Sequence, residues 1–359
     1  MAEQRNKSTS SRVGANPTTY DDIFMRKNLN DTGTLPVTNP DWWTCSPDII
    51  PNGVDVLSDP VTYLTQTYDK EVGKDTVIQR QNYFYVRGKN SYNGDRKGDF
   101  YLYYCPGHLF LFPSLWVDNQ LKTSSGKDFV SATVKQNEIA VPNEPFIYKP
   151  ESEEHSCLVA RVVTEGNPNP LPDDFADMGT LAKYIVEHPN IAWRNVSLVN
   201  KDIPTFTRTF QLDSGDTEGA AILGIRCHNI SDGSRVAFSC GTPIPSGPDA
   251  GKHITMSETV VVNPPDALDP LYLLRIYLPA GFKTTISYSY WAKTPIKPEW
   301  KVFFEGYYVA NQDNELYEHC HELKHYGINI NKVKNSGMMK ESTMMPRIIR
   351  IGSVQVNGV

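Results

Sequence analysis

The chain has 359 residues, a formal charge of −6, and 39% hydrophobic against 21% charged residues. That mixture is polar yet globular, and the length exceeds one domain of ordinary size, so two domains with polar ends are expected. The basic residues are scattered, which excludes an electrostatic footprint for nucleic acid, and no run approaches the roughly 20 apolar residues of a helical membrane span.

Turn formers and aromatics are abundant (26 Pro, 24 Gly, 19 Tyr, 14 Phe, 6 Trp), a composition that favours short aromatic-rich strands over long helices. Residues 1–40 are rich in Ser, Thr, Asn and Asp and read as an arm, flexible or ordered by a partner. The arm carries no apolar leader, so the expectation is synthesis in the cytoplasm without a signal peptide, with release by another route if the protein works outside the cell. Six cysteines lie far apart with no CxxC pair, which points to reduced structural thiols.

Period-two alternation begins near residue 75. NYFYV (82–86) sets Phe84 and Val86 on one face, and DFYLYYC (99–105) sets Phe100, Leu102 and Tyr104 against Tyr101, Tyr103 and Cys105. Both faces of such strands carry apolar groups, so both can be covered. Further strands are expected over 138–150, 155–163 and 190–200, enough for a first sandwich over 41–200. A short helix is expected near 180–188, where Leu181, Tyr184 and Ile185 share a face and Pro189 stops the run. Strand patterns then recur over 201–212, 219–230, 234–241, 254–265, 271–281, 283–294 and 301–311, with PAGFK (279–283) as a hairpin turn, giving a second sandwich over 201–327. Residues 328–359 read as a Met-rich linker and a terminal strand, one that either completes its own sheet or adds to a neighbour's edge.

The segments YDDIFMRKNLNDTG, CSPDII, NYFYVRGKN, HSCLVARV and NIAWRNVSLV resemble bacterial immunoglobulin-like modules related to the cell-adhesion-related CARDB-like domain. The likeness covers roughly residues 20–200. It implies a β-sandwich used for scaffolding, adhesion or display, and it implies no catalytic residue.

One string suggests chemistry. HELKH (321–325) matches the H-E-x-x-H pattern, in which His321 and His325 would bind zinc from one helical face with Glu322 as general base. His319 is a further candidate ligand. Against it stand the cation Lys324 inside the string, the continuation Tyr326-Gly327-Ile328 in place of a third histidine, and a position between a strand and a tail. No nucleophile elbow, phosphate loop or dinucleotide fingerprint occurs.

The expected fold is therefore all-β: two immunoglobulin-like sandwiches in tandem, flanked by the arm and the terminal strand. The expected function is non-enzymatic, without cofactor: a structural or interaction protein that self-assembles or joins a bacterial or phage-like extracellular particle. Trp42, Trp43, Ile349, Ile351, Val354 and Val356 are the candidate interaction residues. The alternatives are a toxin-like or lectin-like protein binding a cell-surface glycan or lipid, with Trp42, Trp43 and Trp116 as stacking surfaces, and a zinc metallopeptidase using HELKH.

Overall fold

A computed structural model describes residues 18–37, 44, 46–74, 76–77, 79–151, 156–172, 175, 177–196, 205–240, 242–263, 269–295, 297, 299–310, 314, 316–327 and 347–357. Strands account for 44% of the structure against about a quarter in an average globular protein, and the class is all-β as expected.

The first half contains β1 (Thr18–Thr19), β2 (Ile23–Phe24), β3 (Thr34–Leu35), β4 (Ile49–Pro51), α1 (Pro60–Gln66), β5 (Asn82–Val86) and β6 (Gly88–Asn90). It continues through β7 (Arg96–Pro106), β8 (Val130–Val134), β9 (Ile139–Ala140), β10 (Phe146–Tyr148), β11 (Ser156–Val163), α2 (Met178–Glu187) and β12 (Ile191–Val196). One sheet has the order β12-β11-β7-β8, and it faces two small sheets, β10-β5-β4 and β2-β6-β9, which share the chain across Arg87. Phe84, Phe100, Leu102, Leu158, Ala160 and Val162 fill the space between these layers. The opposite face of β7 and β11, with Tyr103, Cys105, Cys157 and Val159, is buried under α2 and the segment that follows β7. The two apolar faces expected from the alternation are thus both covered.

The second half contains β13 (Thr205–Asp213), β14 (Gly219–His228), β15 (Arg235–Cys240), β16 (Thr255–Val260) and β17 (Leu271–Leu278). β18 (Lys283–Trp291), β19 (Lys301–Ala310), β20 (His321–Glu322) and β21 (Arg347–Asn357) complete it. Its sheets run β13-β18-β15-β16 and β17-β14-β19-β21-β20. PAGFK is therefore no hairpin: β17 pairs with β14 whereas β18 pairs with β13 and β15, so the turn carries the chain from one layer to the other.

The two sandwiches are not independent beads. After β7 the chain leaves the first sandwich as GHLFLF (107–112) and enters the second. There the Leu109 N–H donates to the Gln211 carbonyl at 2.9 Å, and the Gln211 N–H donates to the Gly107 carbonyl at 2.6 Å, beside β13. Leu109, Phe110, Leu111 and Phe112 are all buried in one apolar cluster that also holds Trp193 of the first half and Phe210, Phe304 and Val354 of the second. In the opposing sheet Gly306 of β19 lies directly across from Gly352 of β21. A Cβ on Gly352 would sit 2.0 Å from the Leu109 carbonyl oxygen, and one on Gly306 would sit 2.5 Å from the Phe110 ring. Two facing glycines therefore form the slot that receives the plug. α2 then packs on β19 and β21 beside it.

Two boundaries of the sequence reading are corrected. Residues 22–28 are buried against the first sandwich, so 18–37 belongs to that fold; only positions outside the described residues remain of the arm, namely 1–17 and 38–40. The terminal strand pairs with β19 along its whole length inside its own sheet, because Ile348, Ile349, Ile351, Val354 and Val356 supply apolar surface that the second core needs.

Buried charge fastens the N-terminal segment. Arg87 spends all its N–H donors: Nε on Asp48 at 3.0 Å, and the terminal nitrogens on the carbonyls of Pro47, Leu64, Thr67 and Lys70. Arg26 adds a two-pronged contact to the same Asp48 and lies 3.4 Å from the centre of the Tyr68 ring. Lys27 is fully buried, with Nζ donating to the carbonyls of His188 and Ile191. Burial pulls its pKa down from 10.5 to about 7, and nearby Asp31 offsets this only in part.

Between those two values the unfolded chain holds a proton on Lys27 that the folded chain has lost, so stability rises with pH across that window. Thermal unfolding measured from pH 7 to 10 is expected to show this rise, and Lys27→Met is expected to flatten it. An unchanged slope in the variant would contradict the assignment.

Candidate functional site

HELKH does not form the helix that a zinc peptidase requires. His321 and Glu322 are the two residues of β20, paired with Ile348 and Arg347 of β21. Leu323–Tyr326 is a single 3₁₀ turn, closed by Gly327 at φ 71°, a left-handed conformation that favours glycine. The His321 and His325 rings stack face to face, 4.0 Å between centroids. Glu322 is engaged by Lys324 at 2.8 Å on the surface. His319 lies on the preceding 3₁₀ turn. Among the described residues no three His, Cys, Asp or Glu side chains converge on a point where a metal could sit. The zinc-site geometry is thus corrected: a strand and a short turn replace the helix, because Leu323 and Tyr326 are drawn down onto the sheet.

What the string does is cover a charged cluster. Leu323 and Tyr326 pack with Ile222, Tyr307 and Ile348 on the outer face of the five-stranded sheet. Beneath them Glu305 is fully buried, 3.1 Å from Arg350 and 3.3 Å from Arg226, and accepts a hydrogen bond from the Tyr307 hydroxyl. Arg226 also donates to the Tyr326 carbonyl at 2.9 Å. Burial alone would raise the Glu305 carboxyl, but Arg350 and Arg226 outweigh it and hold the group below the ordinary carboxylate range.

The other candidate residues separate by environment. Ile349, Ile351, Val354 and Val356 are at most 3% exposed and build the core of the second sandwich. Trp42 and Trp43 lie outside the described residues. Trp116 is buried with its indole N–H on the Leu111 carbonyl at 3.1 Å, which closes the cluster around the plug and leaves no ring face for a sugar. The five described cysteines are buried thiols, and burial pushes those of Cys105, Cys227 and Cys320 up.

One side of the second sandwich offers what the sequence reading did not single out. β16 and β17 are edge strands of its two sheets and lie on the same side, bridged by Tyr272, whose hydroxyl donates to the Val260 carbonyl and accepts from the Val262 N–H. Val260 and Val262 are 51% and 65% exposed, whereas Val261 between them is buried. Leu271, Tyr272, Leu273 and Leu274 of β17 are half-buried. Among the described residues no strand pairs with the outer side of either edge. The signal was present: VVV (260–262) supplies more apolar surface than an alternating edge strand can bury, and LYLLRIYL is a long strand run with a single charge.

No protein-family model matches the chain, and no curated protein matches it. Among solved structures, red sea bream transglutaminase overlaps 68% of this chain and 30% of its own at 10% identity and a TM-score of 0.21. The secreted serine protease VesC from Vibrio cholerae overlaps 60% of this chain and 44% of its own at 6% identity and a TM-score of 0.20. The chain thus spans less than half the length of either. At these scores the overlap transfers neither fold nor activity.

Removing the buried anion leaves two guanidinium groups uncompensated, so Glu305→Gln is expected to cost about 3–5 kcal/mol in denaturant unfolding at neutral pH. Because the folded carboxyl is held low, its contribution is present above the unfolded carboxyl pKa and fades as pH falls through the folded value. Wild type and variant should therefore converge in acid, and a gap that stays constant with pH would count against the cluster.

Proposed function

We propose that this is a non-enzymatic structural protein that works by association with copies of itself. The observation that carries the reading is one side of the second sandwich, where two edge strands that no described strand covers lie together with the exposed Val260 and Val262. An unpaired edge is a row of backbone donors and acceptors ready for another strand, and natural proteins usually cover or blunt it. Here the blunting is partial. The Asp249 carboxylate takes the Tyr277 N–H at 2.8 Å and a bulge interrupts β16, but the stretch from Leu271 to Leu274 has no such guard among the described residues.

A second copy is the natural occupant, since two identical edges meet antiparallel about a twofold axis and continue one sheet across both subunits. In this reading the fused sandwiches are an immunoglobulin-like scaffold of a bacterial or phage-like extracellular assembly. The resemblance of residues 20–200 to adhesion-related modules supports the same role.

Size-exclusion chromatography with light scattering should give a mass above that of one chain for the wild type at about 100 µM, a concentration that reveals even modest affinities. Val260→Lys with Val262→Lys should return the protein to one chain without lowering its melting temperature. A wild type that stays monomeric, or a double variant that still associates, would overturn the proposal.

A further inference from the structure

A second surface feature lies where the two sandwiches meet. A cleft of about 750 Å³ opens between the N-terminal end of α2 and the second sandwich. Thr180 and Lys183 line it from α2, and Arg275 and Tyr277 line it from β17, with Tyr308 at the end of β19 and Glu218 ahead of β14. Its volume falls within the roughly 300–1,000 Å³ of small-molecule sites, and its position at a seam between structural units is where such sites concentrate.

The lining decides the class of ligand. Among the described residues the cations Lys183 and Arg275 are matched by the carboxylates of Asp177 and Glu218, a lining with no net attraction for a phosphate or an isolated carboxylate. Asp177 caps α2 through the Thr180 N–H at 2.7 Å, and the nearby Glu218 carboxylate holds the Tyr277 phenol above its ordinary pKa. The Tyr308 hydroxyl accepts from the Asn314 amide at 2.6 Å. Both tyrosines stay half-exposed along the cleft. Donors and acceptors in equal supply suit hydroxyl groups, each of which both donates and accepts. Half-exposed tyrosine rings suit the C–H faces of a pyranose. A lipid tail would need a mainly apolar lining, whereas here Met178, Ala220, Val309 and Leu316 are outnumbered by polar and charged side chains.

We infer that the seam cleft binds a neutral saccharide of two or three units. The inference is distinct from self-association: it uses the Arg275–Tyr277 end of β17, whereas association is assigned to Val260, Val262 and the Leu271–Leu274 stretch, and it is read by a different measurement.

Gly219 provides the test. It lies on the cleft lining, and a Cβ there would meet only the Met178 side chain, at 3.4 Å, so Gly219→Leu fills the cleft with little strain on the fold. Saturation-transfer NMR is run on the full chain with cellobiose, maltose, lactose and chitobiose in turn, each at about 10 mM to detect weak binding. At least one disaccharide is expected to show transfer that is lost in Gly219→Leu while the melting temperature is kept. If that variant fails to fold, Tyr277→Ala on the cleft wall serves instead, with at least a fivefold loss of signal expected. Absence of transfer from all the disaccharides, or transfer unchanged by the substitution, overturns the inference. So does a clear preference for glucose 6-phosphate over the neutral sugars, since that would mark an anion site.

Discussion

The joint between Gly306 and Gly352 is the constraint on which the rest of this molecule depends. Two strands approach there without side chains, and the chain of the other half passes through the space, with the Leu109 backbone against one glycine and the Phe110 ring against the other. Any Cβ at Gly352 would overlap backbone, which cannot swing aside as a side chain can. Because the plug is seated, α2 is brought onto β19 and β21, the seam cleft exists, and β13 loses its free edge to residues 107–109. Among the described residues no strand pairs with the far edge of the same sheet, β16. A fold closed on one side and open on the other is directional, and that asymmetry underlies the proposed association.

Buried charges do a second job, fixing which segment lies where. Arg87 gathers the carbonyls that end α1 and the Asp48 turn into one knot, so the lead-in to the first sandwich has a single register. Glu305 with Arg226 and Arg350 performs the same task beneath residues 323–326. Such clusters add little net stability compared with apolar packing of the same volume, yet removing one member is costly. Their value here is specificity: a segment without many apolar residues is placed by groups that have only one set of partners.

Much of the strand pattern was legible in the sequence because alternation with period two follows directly from the pleat. Phe100 and Leu102 against Tyr103 and Cys105 announced a strand buried on both faces, and that is where they lie. The expected helix starts slightly earlier, at Met178, with Asp177 as its cap. α1 was missed although its signals were present: Asp59 caps it and Pro60 opens it. The weak strand β8 was missed because its alternation carries little apolar weight. HELKH matches a metal pattern without its helix because spacing of i and i+4 speaks of a helix only where the flanking residues permit one, and here Gly327 and pairing with β21 set the backbone. The glycine joint was beyond reach: a sequence shows that Gly306 and Gly352 lack side chains but not that they face each other across a strand pair, or that Leu109 fills the gap.

Differential scanning calorimetry of the full chain tests the joint most directly. If the plug and slot fuse the two sandwiches, the wild type unfolds in one transition whose calorimetric and van't Hoff enthalpies agree. Gly352→Ala, which overpacks the slot, should then cost about 3 kcal/mol or more and lower the melting of both sandwiches together. Two separate wild-type transitions, with only the second-sandwich transition moved by Gly352→Ala, would contradict the account and return the molecule to two independent domains.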